Sequence, residues 1–153
     1  TAPDTTAMIE DKSPTHYQYK GSYIMTAVKS GLMIINQHRA HVRILYEAYL
    51  RQLSEHKVHS QKVLFPEMVQ FSVSDSVILE HILPEMTKEE IDHVLALSLA
   101  RNAAIPQGQV LSNSEMESIV NELFACSNVN YTPSGTPIIA IMQQHDIEHL
   151  FDS

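Results

Sequence analysis

A stripe of apolar residues at helical spacing constrains the fold of this chain more than any other feature. Between positions 39 and 53 the apolar residues are Val42, Leu45, Tyr46, Tyr49, Leu50 and Leu53. Because they recur every three or four residues, they line one side of a helix, which has to bury that side against another element. The residues just before it, 31–35, form a short apolar run. The sequence therefore predicts a strand that leads directly into an amphipathic helix.

Turn and capping residues divide the rest of the chain into short elements. Aromatic and β-branched residues from 17 to 29 predict a strand, with 31–35 as its hairpin partner. Thr87 with Glu90 and Ser112 with Glu115 match the capping box, which predicts helices from 88 to 105 and after 112. We also expect an edge strand over 63–73, a short helix over 76–83, a strand over 138–142 and a last helix over 144–151. This mixture predicts an α+β fold, in which amphipathic helices pack on a mixed sheet.

Charge and composition exclude several classes of protein. The formal net charge of −8 disfavours an autonomous nucleic-acid binder, which needs basic residues gathered on one face. Acidic residues interrupt the one concentration of basic residues in the sequence, which comprises Arg39, His41, Arg43, Arg51, Lys57 and Lys62. A solvated helix face is favoured there over a weak DNA-facing surface. No apolar run approaches the roughly 20 residues that cross a membrane.

The beginning of the chain and its cysteine content fit a reducing compartment. Residues 1–15 are polar, lack apolar periodicity and are expected to be the end of a flexible linker. They do not have the basic and apolar regions of a signal peptide. Cys126 is the only cysteine, so no intrachain disulfide can form, and it is expected to be a small core residue. A cytoplasmic location is predicted.

The segment that enters the long helix carries the most specific pattern in the chain. It begins Asn36-Gln37-His38-Arg39 and continues along the helix to Glu47. This segment resembles the one that opens the C-terminal domain of MutL-type mismatch-repair proteins. In the endonuclease members of that family it reads Asp-Gln-His-Ala, two residues, Glu, four residues, Glu, and its carboxylates bind metal. The likeness continues over most of the chain, through 17–24, 103–105, 123–126 and 147–151.

Most positions that would bind metal in such an endonuclease are replaced in this chain. Gln37, His38 and the distal Glu47 are kept. The replaced positions are Asn36 for the Asp, Val42 for the first Glu, Arg101 for a Cys, and Thr132 and Ser134 for the Cys and His of a Cys-Pro-His-Gly-Arg-Pro segment. Two-metal hydrolysis needs a full set of carboxylate, imidazole or thiolate ligands. The resemblance therefore implies a member without catalytic residues, metal or other cofactor in this domain; a nicking endonuclease with an atypical metal-dependent site is the alternative.

The other histidines do not complete a ligand set in the sequence. The candidate zinc ligands among them are His41, His56, His59 and the pair His145 and His149. Because no third ligand is evident, solvated helix positions are favoured for these histidines. His38 is predicted to be a structural histidine at the strand–helix junction.

The resemblance implies a function that needs no chemistry in this domain. The family uses the domain to pair two chains, whose N-terminal halves bind ATP and magnesium, and to place them with a MutS-type mismatch sensor on DNA. A homodimer is expected, and tethering raises the effective concentration of the paired halves. Candidate interfaces are the helix face with Leu45, Tyr49 and Leu53, or the strand 138–142 with its following helix; residues near the C-terminus are preferred.

A second partner is suggested by the segment after the long helix. This segment fits a pattern of Gln, any two residues, Leu or Ile, any one residue and Pro, which resembles the sliding-clamp-binding segment of the family. The residues that would bind the clamp are Gln61, Leu64, Phe65 and Pro66. An extended peptide of this kind buries its apolar side chains while the proline limits the entropy lost on binding. A half-buried edge strand and a clamp-docking module are both open alternatives.

The resemblance also implies two subdomains. The dimerisation subdomain is expected over 16–60 and 106–153, with a regulatory subdomain over 61–105. The family has a further stretch of several tens of residues after the position of Met86, where Thr87 follows directly in this chain. The regulatory subdomain is therefore expected to be small or truncated here.

Overall fold

The computed structural model describes residues 12–55 and 86–152 and shows a sheet with helices packed on it. The strands are β1 (His16–Tyr19), β2 (Tyr23–Val28), β3 (Gly31–Asn36) and β4 (Ile139–Gln143). Their order in the sheet is β1-β2-β3-β4, and each neighbouring pair is antiparallel. The predicted α+β class is confirmed, although the described pairings are all antiparallel where a mixed sheet was expected.

The segment 17–29, predicted to be one strand, forms two strands with a tight turn between them. Lys20 and Gly21 have φ angles of 52° and 62°, and the Ser22 N–H donates to the Tyr19 carbonyl at 3.0 Å. Positive φ at both central residues of this turn matches the twist of the flanking strands, and residues 20–22 separate the paired Tyr19 and Tyr23. A Cβ on Gly21 would lie 2.5 Å from the backbone of Gly108, so this turn requires glycine. The continuous aromatic pattern of the sequence conceals the turn.

In the described parts of the chain, four helices follow the predicted capping and periodicity. They are α1 (Gln37–Glu55), α2 (Lys88–Ala103), α3 (Asn113–Phe124) and α4 (Gln144–His149). The predicted helix over 39–53 is confirmed and is longer at both ends. Ser112 and Glu115 form the complete reciprocal capping box, whereas at α2 the Thr87 hydroxyl accepts the Glu90 N–H at 3.2 Å. The helices predicted to reach 105 and 151 end at Ala103 and His149.

The buried side chains form two apolar clusters. In the first, the inner face of the sheet packs on α3, with Ile24, Met33 and Ile35 against Val120 and Leu123, all fully buried. In the second, α1 packs along α2. Burying this much apolar surface is the main stabilising contribution to such a fold. The predicted strand over 63–73 and helix over 76–83 lie outside the described residues, and the division into subdomains stays a prediction.

No helix in the described parts of the chain combines the length and the apolar character that crossing a membrane requires.

Candidate functional sites

Asn36, which occupies the position of the aspartate in the endonuclease members of the family, caps the first turn of α1. The Asn36 side-chain oxygen accepts the Arg39 N–H at 3.1 Å, and the Asn36 N–H donates to the Ile138 carbonyl at 2.9 Å. An asparagine in this position satisfies one of the N–H groups that the start of a helix leaves unpaired. Asn36 therefore joins β3, β4 and α1 and has its side-chain oxygen engaged.

Gln37 is retained from the family pattern and has a structural role. It is 1% exposed. Its side-chain oxygen accepts from Gln18 at 2.6 Å, and its nitrogen donates to the Gln109 carbonyl at 3.2 Å. Buried amides are stable only when both ends are hydrogen-bonded, as they are here.

Two histidines of α1 bind the backbone N–H and C=O of Ile105, just after the end of α2. His38 Nδ1 lies 2.9 Å from the Ile105 carbonyl oxygen, to which it donates. The Ile105 N–H donates to His41 Nδ1 at 2.8 Å. The prediction that His38 is structural agrees with this contact, but His41 is half-buried and hydrogen-bonded, not a solvated helix position. Burial, together with the nearby His38, lowers the pKa of His41.

The lowered pKa of His41 gives a testable pH dependence. The unfolded chain takes up a proton near the ordinary pKa of 6.5, whereas the folded chain keeps Nδ1 free to accept from Ile105. The contribution of His41 is therefore complete above that pH and decreases as the pH falls towards the lowered folded pKa. Urea unfolding at several pH values should show this decrease, and His41→Asn, which keeps an acceptor at the same place, should flatten it. His145→Asn, at an exposed position, is the control; equal pH slopes for wild type and His41→Asn would contradict the assignment.

Val42 lies at the contact between α1 and α2, whereas Arg101 lies in the last turn of α2. Val42 is 5% exposed and belongs to the same apolar cluster as Ala100 and Ala104. Arg101, the neighbour of Ala100, is exposed. A valine packed between helices offers no ligand atom, and a guanidinium repels divalent cations.

Glu47 accepts three hydrogen bonds, two of which join α1 to Ser127, just after the end of α3. Its carboxylate accepts from the Ser127 N–H at 2.8 Å, the Ser127 hydroxyl at 2.9 Å and Arg43 Nε at 2.8 Å. Burial raises the pKa of Glu47, but the bonds from Ser127 and the charge of Arg43 outweigh it, so the pKa lies below its ordinary value. The carboxylate is held ionised by protein donors and acts as a structural link.

The turn that stands for the family Cys-Pro-His-Gly-Arg-Pro segment is closed by hydroxyl groups. The Thr132 hydroxyl lies 3.1 Å from the Ser134 hydroxyl and 2.6 Å from that of Thr136, and it accepts the Thr136 N–H. The Arg39 guanidinium donates to the Pro137 carbonyl at 2.8 Å and so ties the turn to α1. Hydroxyl oxygens paired among themselves are poor ligands for zinc, which prefers sulfur, nitrogen and carboxylate.

These contacts join α1 to Ile105 after α2, to Ser127 after α3 and to Pro137 of the turn 132–137, and we call this region the α1 corner. Across residues 12–55 and 86–152 no group of three or more His, Cys, Asp and Glu side chains is arranged to hold a metal ion. The Cys126 thiol donates to the Glu122 carbonyl at 3.4 Å, and burial together with Glu47 raises its pKa to about 11. A thiol of this kind is unreactive at neutral pH.

Two residues of the basic concentration are engaged within the part of the chain that the structure describes. Arg39 is bonded to a carbonyl oxygen, and Arg43 is 8% exposed and paired with Glu47. Lys57 and Lys62 lie outside the described residues, as do the predicted clamp-binding residues Gln61, Leu64, Phe65 and Pro66.

The outer face of the sheet is apolar on all four strands. Its residues alternate with the buried ones and lie in rows across the sheet, with Met25 beside Ile34 and Ile34 beside Ala140. None is charged, and all remain partly or fully exposed in the described structure. The face comprises Tyr17, Tyr19, Tyr23, Met25, Ala27, Leu32, Ile34, Ala140 and Met142. A contiguous apolar patch of this kind is typical of an interaction surface.

This outer face differs in part from the expected interfaces. Leu45 and Tyr49 pack in the cluster between α1 and α2, and Leu53 is 7% exposed, so that helix face is used within the chain. β4 supplies two residues to the outer face, in keeping with the preference for the C-terminal region, but most residues come from β1, β2 and β3. The signal in the sequence was that β2 and β3 are largely apolar on both sides, as strands covered on both faces are.

The profile of the MutL C terminal dimerisation domain matches residues 16–93, which is half of the chain. The chain belongs to this family. Proteins named DNA mismatch repair protein MutL are 38% identical in Phocaeicola vulgatus, over 94% of this chain, and 34% identical in Parabacteroides distasonis, over 98% of it. The MutL of Flavobacterium johnsoniae is 28% identical over 94% of the chain. The resemblance read from the α1 segment is thereby confirmed.

The relatives are much longer than the chain. It spans 30% of the Phocaeicola vulgatus protein and 32% of the Parabacteroides distasonis protein. Those matches run over 189 and 196 residues, which exceeds the 153 residues of the chain. The relatives therefore have residues within the matched region that have no counterpart here.

Proposed function

We propose that this domain pairs two copies of a MutL-type mismatch-repair protein through the outer face of its sheet. The observation that carries the proposal is the uncharged apolar face built by four strands. A homodimer with twofold symmetry needs one patch that is complementary to itself, and an apolar sheet face meets this need because it pairs with its copy without matching opposite charges.

The arrangement of the face suggests which residues contribute most. Met25, Leu32 and Ile34 lie on the two central strands, away from both sheet edges. Tyr19 and Tyr23 lie at one end, with ring centroids 6.4 Å apart, and the Lys20 ammonium lies 5.5 Å from the Tyr19 ring. An apolar centre with a rim of tyrosine hydroxyls and a cation is the usual anatomy of a protein interface.

We infer that the domain acts without nuclease chemistry and that its α1 corner serves as a scaffold. Asn36 caps a helix, His38 holds the Ile105 peptide, and Glu47 is saturated by protein donors. Asn36, His38 and Glu47 thus each have a structural partner, which supports a loss of metal binding. For the full protein we propose an N-terminal half that binds ATP and magnesium, and a cytoplasmic location. The partners that we propose are a MutS-type mismatch sensor and weakly held DNA. Docking of a sliding clamp on residues 61–66 stays a prediction from the sequence.

A nicking assay tests the absence of chemistry. Supercoiled plasmid incubated with the chain and Mn²⁺ should stay intact, because the α1 corner lacks the ligands that polarise a phosphate and lower the pKa of an attacking water. A family member with the complete Asp-Gln-His-Ala segment, assayed at the same concentration, is the positive control. Manganese-dependent nicking that disappears in His38→Ala would overturn this part of the proposal and restore the endonuclease alternative.

A further inference from the structure

Strand β1 is short and lies at the edge of the sheet, yet it supplies Tyr17 and Tyr19 to the outer face. Within residues 12–55 and 86–152, its four residues pair with β2 alone. A four-residue edge strand is weakly held by its ladder alone, since isolated strand pairs are marginal in water. Other contacts are needed to keep the two tyrosines in place.

The side chain of Asn113, at the start of α3, pairs with the free edge of β1. Its oxygen accepts the His16 N–H at 2.8 Å, and its nitrogen donates to the Pro14 carbonyl at 3.1 Å. The two bonds reproduce what a neighbouring strand would offer, so the amide stands in for part of a fifth strand. They also protect an edge that would otherwise be open to pairing with another chain.

The side chain of His16 fastens the strand to α3 from the inner face. It is fully buried, with Nδ1 2.6 Å from the Thr26 hydroxyl and Nε2 2.6 Å from a Glu117 carboxylate oxygen. Lys12 donates to the other oxygen of Glu117, so the chain that enters β1 is bound to the same carboxylate. The bonds from Lys12 and His16 outweigh desolvation and lower the pKa of Glu117. Buried networks with every member satisfied rigidify the groups they join.

We propose that Asn113, Glu117 and His16 are positioning residues for the dimer: they anchor β1 to α3 and thereby hold Tyr17 and Tyr19 in the outer sheet face. None of the three belongs to that face. The proposal rests on the dimer proposed above, and it predicts that a change on the far side of β1 weakens the dimer only through the two tyrosines.

A double-mutant cycle tests this route. Asn113→Ala should raise the dimer dissociation constant by about tenfold, a typical coupling for groups that share contacts. In a chain that already carries Tyr17→Ser and Tyr19→Ser, the same change should have no further effect, because nothing remains for the anchor to position. Glu117→Gln should behave in the same way with a smaller effect. Asp92→Asn, which breaks an exposed ion pair with Lys88 on α2, is the matched control.

Amide hydrogen exchange supplies a readout that does not depend on the dimer. In Asn113→Ala the amides of β1 should exchange faster while those of β3 stay protected, since only the edge strand is released. An unchanged dissociation constant with faster exchange in β1, or an equal loss of affinity in the chain without the two tyrosines, would overturn the proposal. If the wild-type chain were monomeric while β1 still loosened, the dimer would be at fault, not the anchor.

Discussion

Ile34→Glu should convert the dimer into a monomer while leaving each chain folded. Ile34 lies on a central strand of the outer face, with Met25 and Ala140 beside it in the register of the sheet. In the proposed dimer this position loses its contact with water, and its neighbours in the sheet register offer a carboxylate neither a cation nor a donor. We expect the dissociation constant to rise by about a hundredfold or more, as at interface residues whose loss costs more than about 2 kcal/mol.

Sedimentation equilibrium over a range of concentrations measures this change. Asn121→Glu, on the exposed side of α3, adds the same charge away from the sheet and should leave the dimer intact. Circular dichroism at low concentration should give the same spectrum for both variants and for wild type. A dimer that persists in Ile34→Glu at micromolar concentration would show that the two copies meet elsewhere.

Local patterns predicted the elements with good accuracy because their causes are local. The stripe from Val42 to Leu53 predicted α1, and Ser112 with Glu115 predicted the start of α3, since a capping box depends on residues three positions apart. The turn at Lys20 and Gly21 was missed. Its requirement for glycine comes from the backbone of Gly108, which lies far away in the sequence.

The roles of the candidate site residues were harder to predict, because their contacts are not local. The positions that correspond to family metal ligands, from Asn36 to Ser134, could be identified in the sequence. The structural role of each residue in this chain depends on its hydrogen-bond partners, which the spacing of residues does not reveal. His41 receives the Ile105 N–H from 64 positions away, and Glu47 receives Ser127 from 80 positions away. The outer face depends on the strand register and on which face of the sheet α3 covers. The sequence alone specifies neither of these, so it did not predict this face.

Glu47→Ala should be the most destabilising single change at the α1 corner. It removes the acceptor for two bonds from Ser127 and one from Arg43, and it leaves a guanidinium that is 10% exposed without its partner. Breaking a fully buried ion pair from one side costs ~3–5 kcal/mol. Because the Glu47 side chain is 16% exposed, we expect a loss of about 2–4 kcal/mol in the free energy of unfolding.

The pH dependence of this loss distinguishes the charge of Glu47 from its packing. Because the folded pKa lies below the ordinary 4.5, the charge contributes fully above that pH, and its contribution disappears as the pH falls through the folded pKa. Urea unfolding of wild type and Glu47→Ala, at one protein concentration because dimerisation adds to stability, should therefore show a gap that narrows in acid. Glu47→Gln keeps an acceptor for Ser127 but turns an amide towards Arg43, so its loss should be intermediate; Glu122→Ala, exposed on α3, should be near neutral. A gap that stays constant down to low pH would mean that packing and not the carboxylate charge joins α1 to the end of α3.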